Sequence, residues 1–259
     1  MLTNNQKRAV IKLAKAAGEK IMAIYAQDFD VGYKSDSSPL TQADLASHHC
    51  IVDGLLELTP DIPVLSEESS EDEKCNRMSW EAYWLIDPLD GTKEFVKKNG
   101  EFTVNIALVT NYQPIFGVVY APVLDVTYWG DKFSGAFKVE DGIEKSITVR
   151  PRPANSADWV VVGSRSHQSD EFKAFMEDYL DAEIVSMGSS LKLCLVAEGK
   201  ADLYPRLGLT SEWDTAASQA VVEAAGGQVL TFPEMKPLSC NQNPDSLLNP
   251  HFLVCASPL

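Results

Sequence analysis

Apolar residues near the start of the chain recur at three- and four-residue steps: Val10, Leu13, Ala14, Ala17, Ile21, Ile24 and Tyr25. That is the period of one helix face, and Thr3 followed by Gln6 supplies a capping-box start. A second helix is predicted from near Thr41 through Leu45, Val52, Leu55 and Leu56. After Pro60 the pattern changes to short apolar runs broken by turns. Residues 63–66 and 83–86 read as buried strands. Residues 102–109, 115–120 and 126–129 read as a meander, with Asn111-Tyr112-Gln113-Pro114 as one of its turns.

Residues 146–158, with Pro151, Pro153 and a local basic bias, make the best linker. Beyond it strands and helices alternate. Strands are predicted at 159–162, 184–187 and near Leu203, and helices at 170–180, 189–198 and 211–225. Gly226-Gly227 stops the last helix. The pattern divides the chain into an α+β half, residues 1–150, and an α/β half, residues 151–259. Two sheets packed with helix layers is the simplest arrangement. There is no internal repeat and no low-complexity segment.

Composition narrows the partners. Hydrophobic residues make up 45% and charged residues 23%, the balance of a protein with a real core. Lysine and arginine number 22 against 37 acidic residues, so the formal charge is 22 − 37 = −15. That excess repels a nucleic acid polymer but not a small phosphorylated molecule held beside a bound cation. No apolar run approaches the ~18 residues of a membrane span. The start, Met1-Leu2-Thr3-Asn4-Asn5-Gln6, has neither the basic residues nor the apolar stretch of a secretory signal. Five cysteines without C-x-x-C spacing argue against a disulfide framework or a thiolate zinc site, and fit a reducing compartment.

The acids fall where apolar runs end. Leu65-Ser66-Glu67-Glu68 places two carboxylates at the end of a strand. Trp84-Leu85-Ile86-Asp87-Pro88-Leu89-Asp90-Gly91-Thr92 does so again, and Pro88 is expected to bar a regular ladder there. With Gly91 permitting a tight path, Asp87, Asp90 and the Leu89 carbonyl make a plausible cradle for a hard divalent cation. Trp213-Asp214-Thr215 adds an acid at a helix start. Each has a plainer reading. Glu67 and Glu68 alone are solvated loop acids, and Thr41-Gln42-Ala43-Asp44 and Ser211-Glu212-Trp213-Asp214 are capping boxes. The 87–92 run alone fits an Asx-type turn, although two acids after an apolar strand are costly unless compensated. Spacing does not show whether these clusters meet.

In order along nearly the whole chain, these runs, with Glu212-Trp213-Asp214-Thr215-Ala216-Ala217, resemble the inositol monophosphatase superfamily. The resemblance implies a magnesium-dependent, lithium-sensitive phosphatase. The implied fold is the layered αβαβα sandwich of the inositol monophosphatase/fructose-1,6-bisphosphatase type. Asp90-Gly91-Thr92-Lys93-Glu94-Phe95 is closer to the bisphosphate-nucleotidase branch than to the inositol branch. Gly163-Ser164-Arg165-Ser166-His167, Gly188-Ser189-Ser190-Leu191-Lys192 and the 197–206 segment point the same way.

By resemblance, Glu67, Asp87 and the Leu89 carbonyl would hold a first magnesium, and Asp87, Asp90 and Asp214 a second. Asp44 and Thr92, with Glu67, would serve the attacking water; Glu68 matches no ligand position. The implied substrate is adenosine 3′,5′-bisphosphate, cleaved at its 3′-phosphate to AMP as a step serving sulfate assimilation. Its contacts would be Glu67, Leu89, Asp90, Gly91, Thr92 and Asp214 around the reacting phosphate. Gly188, Ser189, Ser190 and Lys192 would take the other phosphate, and His167 the adenine. Two alternatives remain: an inositol or sugar-phosphate phosphatase, and a non-catalytic cation- or nucleotide-binding protein. Lys93-Glu94-Phe95 counts against the first and the intact acid set against the second. The expected location is the cytoplasm, with peripheral association at the inner face of the inner membrane as the alternative.

Overall fold

The computed structural model describes residues 1–27, 31–33, 39–163 and 169–256. Helix α1 (Asn4–Tyr25) starts at the expected capping box, with Gln6 Oε1 accepting from the Thr3 amide at 2.9 Å. Its periodic face, including Val10, Ala14, Ala17 and Ile21, is fully buried. Two short antiparallel strands, β1 (Val31–Tyr33) and β2 (Pro39–Thr41), lead into α2 (Gln42–Leu58), which packs against α1.

A seven-stranded sheet follows: β3 (Val64–Ser66), β4 (Ala82–Asp90), β5 (Thr103–Thr110), β6 (Gln113–Ala121), β7 (Val126–Asp131), β8 (Gly135–Glu140) and β9 (Ile143–Ile147), side by side in chain order. Only the β3–β4 pair is parallel. Between β3 and β4 the chain forms α3 (Glu71–Asn76) and a 3-10 turn, and between β4 and β5 the short α4 (Thr92–Val96). Both faces of the sheet are covered. Tyr83 and Leu85 of β4 enter one core, while Trp84 and Ile86 enter the other beside α1 and α2. Burial on both sides is why this strand reads as a continuous apolar run rather than an alternation.

One expectation is met here and two are corrected. As expected of Pro88, the ladder is not regular there: β4 continues to Asp90, but its pairing with β5 shifts register between Asp87, opposite Asn105, and Asp90, opposite Thr103. An irregularity of that kind accommodates the donor that proline lacks. The turn predicted at 111–114 is only Asn111-Tyr112, both at positive φ (49° and 67°); Gln113 and Pro114 already belong to β6. The linker predicted from residue 146 begins later, since β9 runs to Ile147 and Ser156–Asp158 is a 3-10 turn.

The second sheet contains β10 (Val160–Gly163), β11 (Glu183–Ser186), β12 (Leu203–Arg206), β13 (Gln228–Thr231) and β14 (Phe252–Cys255), in the order β11-β10-β12-β14-β13. Helix α5 (Asp170–Met176) and the 3-10 turn Glu177–Tyr179 replace the single helix predicted there, and they cover the outer face through Phe175, Met176 and Tyr179. Helices α6 (Leu191–Ala197) and α7 (Glu212–Ala224) lie between the two sheets. The layers therefore run α-β-α-β-α. Helix α7 sits very close to the first sheet: a Cβ on Gly117 would lie 2.1 Å from the Ala217 carbonyl oxygen, and one on Gly130 2.6 Å from Val221 Cα. That contact seats the middle of α7 on β6 and β7. Among the described residues no helix is long and apolar enough to cross a membrane.

Candidate active site

The end of β4 turns its two acids toward the cleft between the sheets. Asp87 is 1% exposed, and its Oδ1 accepts from the Leu89 amide at 3.0 Å. Glu67, just past β3, hydrogen-bonds to Asp87, and the Glu67 amide donates to the Ile86 carbonyl at 3.1 Å. Asp214 arrives from the first turn of α7. Carboxylate oxygens of Asp87, Asp90 and Asp214 all lie within 4.8 Å of one another. Like charges this close and this dry oppose ionisation. Burial, then Glu67, Asp90 and Asp214, holds the Asp87 carboxyl well above the usual carboxylate range. Burial and then Asp90 push Asp214 up to about 6, against the opposing bonds from Thr210 and Ser211. A crowded set of hard oxygens is the donor chemistry of a divalent-cation site.

Asp44 and Asp214 are both helix caps and members of this cleft. Asp44 Oδ2 takes the Thr41 amide at 2.7 Å and the Thr41 hydroxyl at 2.6 Å, while its Oδ1 accepts from the Thr92 hydroxyl at 3.3 Å. The same Thr92 hydroxyl lies 3.3 Å from the Leu89 carbonyl oxygen. Gly91, at φ +91°, begins α4 in a left-handed conformation, and Ser47 Oγ donates to the Pro88 carbonyl at 2.7 Å, pinning the irregular stretch from below. On α7, Asp214 Oδ2 takes the Thr210 hydroxyl at 2.7 Å and the Ser211 amide at 2.9 Å. Glu68 is not one of the three clustered acids. Its amide donates to Ser66 Oγ at 3.2 Å, and its charge is one of those facing His48.

Ser189 and Ser190 line the cleft, but their hydroxyls are bonded to Asp90. The Ser189 hydroxyl lies 2.5 Å, and the Ser190 amide and hydroxyl 2.7 and 2.8 Å, from Asp90 Oδ2. Helix α6 behind them has only 7 residues. The physical reason is that a half-buried Asp90 beside two other carboxylates needs donors of its own. Behind this contact stand two residues without an obvious sequence signal. Asn105 Nδ2 donates to Ser190 Oγ at 2.8 Å, and Thr103 Oγ1 lies 2.7 Å from Ser189 Oγ. Each is a polar residue inside a run that otherwise reads as apolar strand, and that mismatch is the one clue the sequence offered.

A cavity of about 280 Å³ opens above Asp90 and Asp214. Gly91, Gly188, Lys192, Tyr204 and Arg206 are among its walls. Gly188 is required by close approach, since a Cβ there would fall 2.8 Å from Glu101 Cβ. Lys192 Nζ lies 5.8 Å from the centre of the Tyr204 ring. Burial lowers the Lys192 pKa, and Asp90 opposes that shift. Arg206 and Lys97, to which the sequence assigned no role, place further cations in the same cavity. His167 lies outside the described residues.

The family model described as "Inositol monophosphatase family" matches residues 4–256. The 3'(2'),5'-bisphosphate nucleotidase CysQ of Escherichia coli O157:H7 is 52% identical over 248 residues, covering 95% of this chain and 97% of that protein. The protein of the same name from Haemophilus influenzae is 35% identical over 98% of this chain and 94% of its own. Among solved structures, CysQ from Bacteroides thetaiotaomicron superposes with a TM-score of 0.84 at 42% identity, covering 98% of both chains. The Thermotoga maritima IMPase gives 0.75 at 28% identity, over 95% of this chain and 90% of that one.

Proposed function

The chain belongs to the inositol monophosphatase family, and from that premise we propose that it is a cation-dependent 3′(2′),5′-bisphosphate nucleotidase. The reaction is hydrolysis of the 3′-phosphate of adenosine 3′,5′-bisphosphate to AMP and phosphate, serving sulfate assimilation in the cytoplasm. One observation carries the reading: three carboxylates within 4.8 Å of one another adjoin a cavity lined by basic side chains, Lys192 and Arg206 among them. That pairing suits a ligand with one phosphate to react and a second to be held.

The cation we assign is magnesium, in two positions. Glu67, Asp87 and the Leu89 carbonyl would hold the first, and Asp87, Asp90 and Asp214 the second. Bound there, the ions would acidify a water and stabilise the attacking and leaving oxygens of an in-line displacement. The protein's share is orientation. The Thr92 hydroxyl, bonded to Asp44, keeps a lone pair for the proton of the attacking water, and the Gly91 and Thr92 amides face the reacting phosphate. Lys192 and Arg206, beside Gly188, take the 5′-phosphate as paired positive charges, and His167 meets the adenine. In this reading residues 1–150 bring most of the cation ligands, and residues 151–259 bring Asp214 and the nucleotide contacts.

The test is phosphate release from adenosine 3′,5′-bisphosphate and from inositol 1-phosphate, with magnesium and with chelator. We expect magnesium-dependent release that strongly favours the nucleotide. Preference for inositol 1-phosphate would move the protein to the other branch of its family. Release from neither would end the enzymatic reading.

A further inference from the structure

Ser190 stands where three segments meet. It is 2% exposed and immediately precedes α6. Its amide donates to Asp90 Oδ2 at 2.7 Å. Its hydroxyl lies 2.8 Å from that oxygen and 2.5 Å from the Asp214 carbonyl oxygen, while accepting from Asn105 Nδ2 at 2.8 Å. A serine hydroxyl has one proton and two lone pairs. Here the proton already serves two acceptors, and the asparagine occupies a lone pair. Asn105 is held in turn, fully buried, with the Thr103 hydroxyl donating to its Oδ1 at 3.0 Å. A phosphate could gain the Ser190 hydroxyl only by taking it from Asp90 and from the backbone of Asp214.

We propose that Ser190, backed by Asn105, is a positioning residue: it sets the spacing of Asp90 and Asp214 and thereby the affinity of the second cation position, and it is not a substrate-phosphate ligand. Asp90 comes from the first sheet and Asp214 from α7, so no local geometry fixes their separation. Ser190 is bonded to both. Gathering donors on Asp90 Oδ2 also leaves Oδ1 as the oxygen for a cation. Outer partners of metal ligands act in this way, by holding the ligand's orientation. The inference rests on the cation-dependent reading above, but its test does not need turnover.

Magnesium binding is measured by calorimetry without substrate for the wild type, Ser190→Ala, Ser190→Thr and Asn105→Ala. Steady-state kinetics on adenosine 3′,5′-bisphosphate and adenosine 3′-monophosphate accompany it. Ser190→Ala should weaken the magnesium affinity about tenfold or more, the usual scale for losing such a partner. At saturating magnesium the KM for both nucleotides should stay unchanged. Ser190→Thr should recover much of the affinity, and Asn105→Ala should reproduce the loss. Unchanged magnesium affinity with a higher KM for the bisphosphate alone would make Ser190 a phosphate ligand and overturn the proposal. A lower melting temperature with wild-type magnesium affinity in both Ser190→Ala and Asn105→Ala would overturn it too. Absence of nucleotide hydrolysis would remove the proposed function while the calorimetry still decides this point.

Discussion

Lys192 is kept in a setting that costs an ammonium most of its water. It sits 5.8 Å from the Tyr204 ring centre with Arg206 nearby, and burial lowers its pKa while Asp90 supports its charge. A cation placed at such expense needs a counter-charge from a ligand. If that ligand is the 5′-phosphate, Lys192→Ala should lower kcat/KM for adenosine 3′,5′-bisphosphate by about one to two decades, the worth of one charge-assisted contact. The ratio for adenosine 3′-monophosphate should barely move. Equal losses on both substrates would make the lysine structural. The sequence assigned this lysine a role through its motif but assigned Arg206 none, although the 197–206 segment that ends on it carries part of the resemblance, because spacing does not show which cavity a strand-end arginine lines. Asp44 and Asp214 were visible in two incompatible-looking guises, as caps and as site acids. The two are compatible, since each spends one carboxylate oxygen, Oδ2, on its helix start and keeps Oδ1 for another partner.

That double use ties a helix to the chemistry. Thr41 caps α2, and its hydroxyl also grips Asp44 Oδ2 at 2.6 Å, while Asp44 Oδ1 reaches Thr92. Thr41→Ala should cost about 1 kcal/mol of stability as a lost cap, or roughly 2–4 °C for a chain of this size. It should also lower kcat at saturating magnesium in the fully folded protein, and Thr41→Ser should preserve both quantities. A lower melting temperature with wild-type kcat would show that Asp44 is aimed by something other than the cap. Elements were legible where one face is buried and the period is long, as in α1 with Val10, Ala14, Ala17 and Ile21. The short α3 and α4 were not, because 6 and 5 residues do not complete a second apolar repeat. Strands β8 and β9 escaped as well. The β9 strand exposes Ile143, Glu144, Lys145 and Ser146 in succession, so it carries no alternation to read. Pro88 was a sound guide, because a proline inside a ladder demands an irregular register and the register shifts there.

The whole molecule brings acids from both halves of the chain into one cleft while carrying a net charge of −15, so its stability should depend on protons and cations together. Folding raises the pKa of Asp214 from 3.8 to about 6, and burial raises Glu212 behind it from 4.5 to about 7, against the Asn241 amide and Arg77. Asp87 is raised further in the same sense. A carboxyl raised on folding binds more protons in the native than in the unfolded state between its two pKa values, so stability falls as pH climbs through that window. Without a cation, the melting temperature should therefore decline from about pH 4 to pH 7. A divalent cation such as magnesium, if it binds the native ionised cluster, should restore what ionisation removes, so the rise it produces should grow over the same interval. Overall self-repulsion of an acidic chain would also lower stability with pH, and a substitution separates the two. Asp87→Asn takes one charge out of the trio yet changes the total only from −15 to −14. It should raise the metal-free melting temperature at neutral pH, shrink the magnesium-induced rise and abolish turnover. Glu212→Gln should flatten the metal-free decline while leaving the magnesium response in place. If the magnesium-induced rise is the same in mildly acidic and mildly alkaline buffer, the carboxylates are not titrating against the cation, and the crowding assigned to Asp87, Asp90 and Asp214 is not what limits the stability of the metal-free protein.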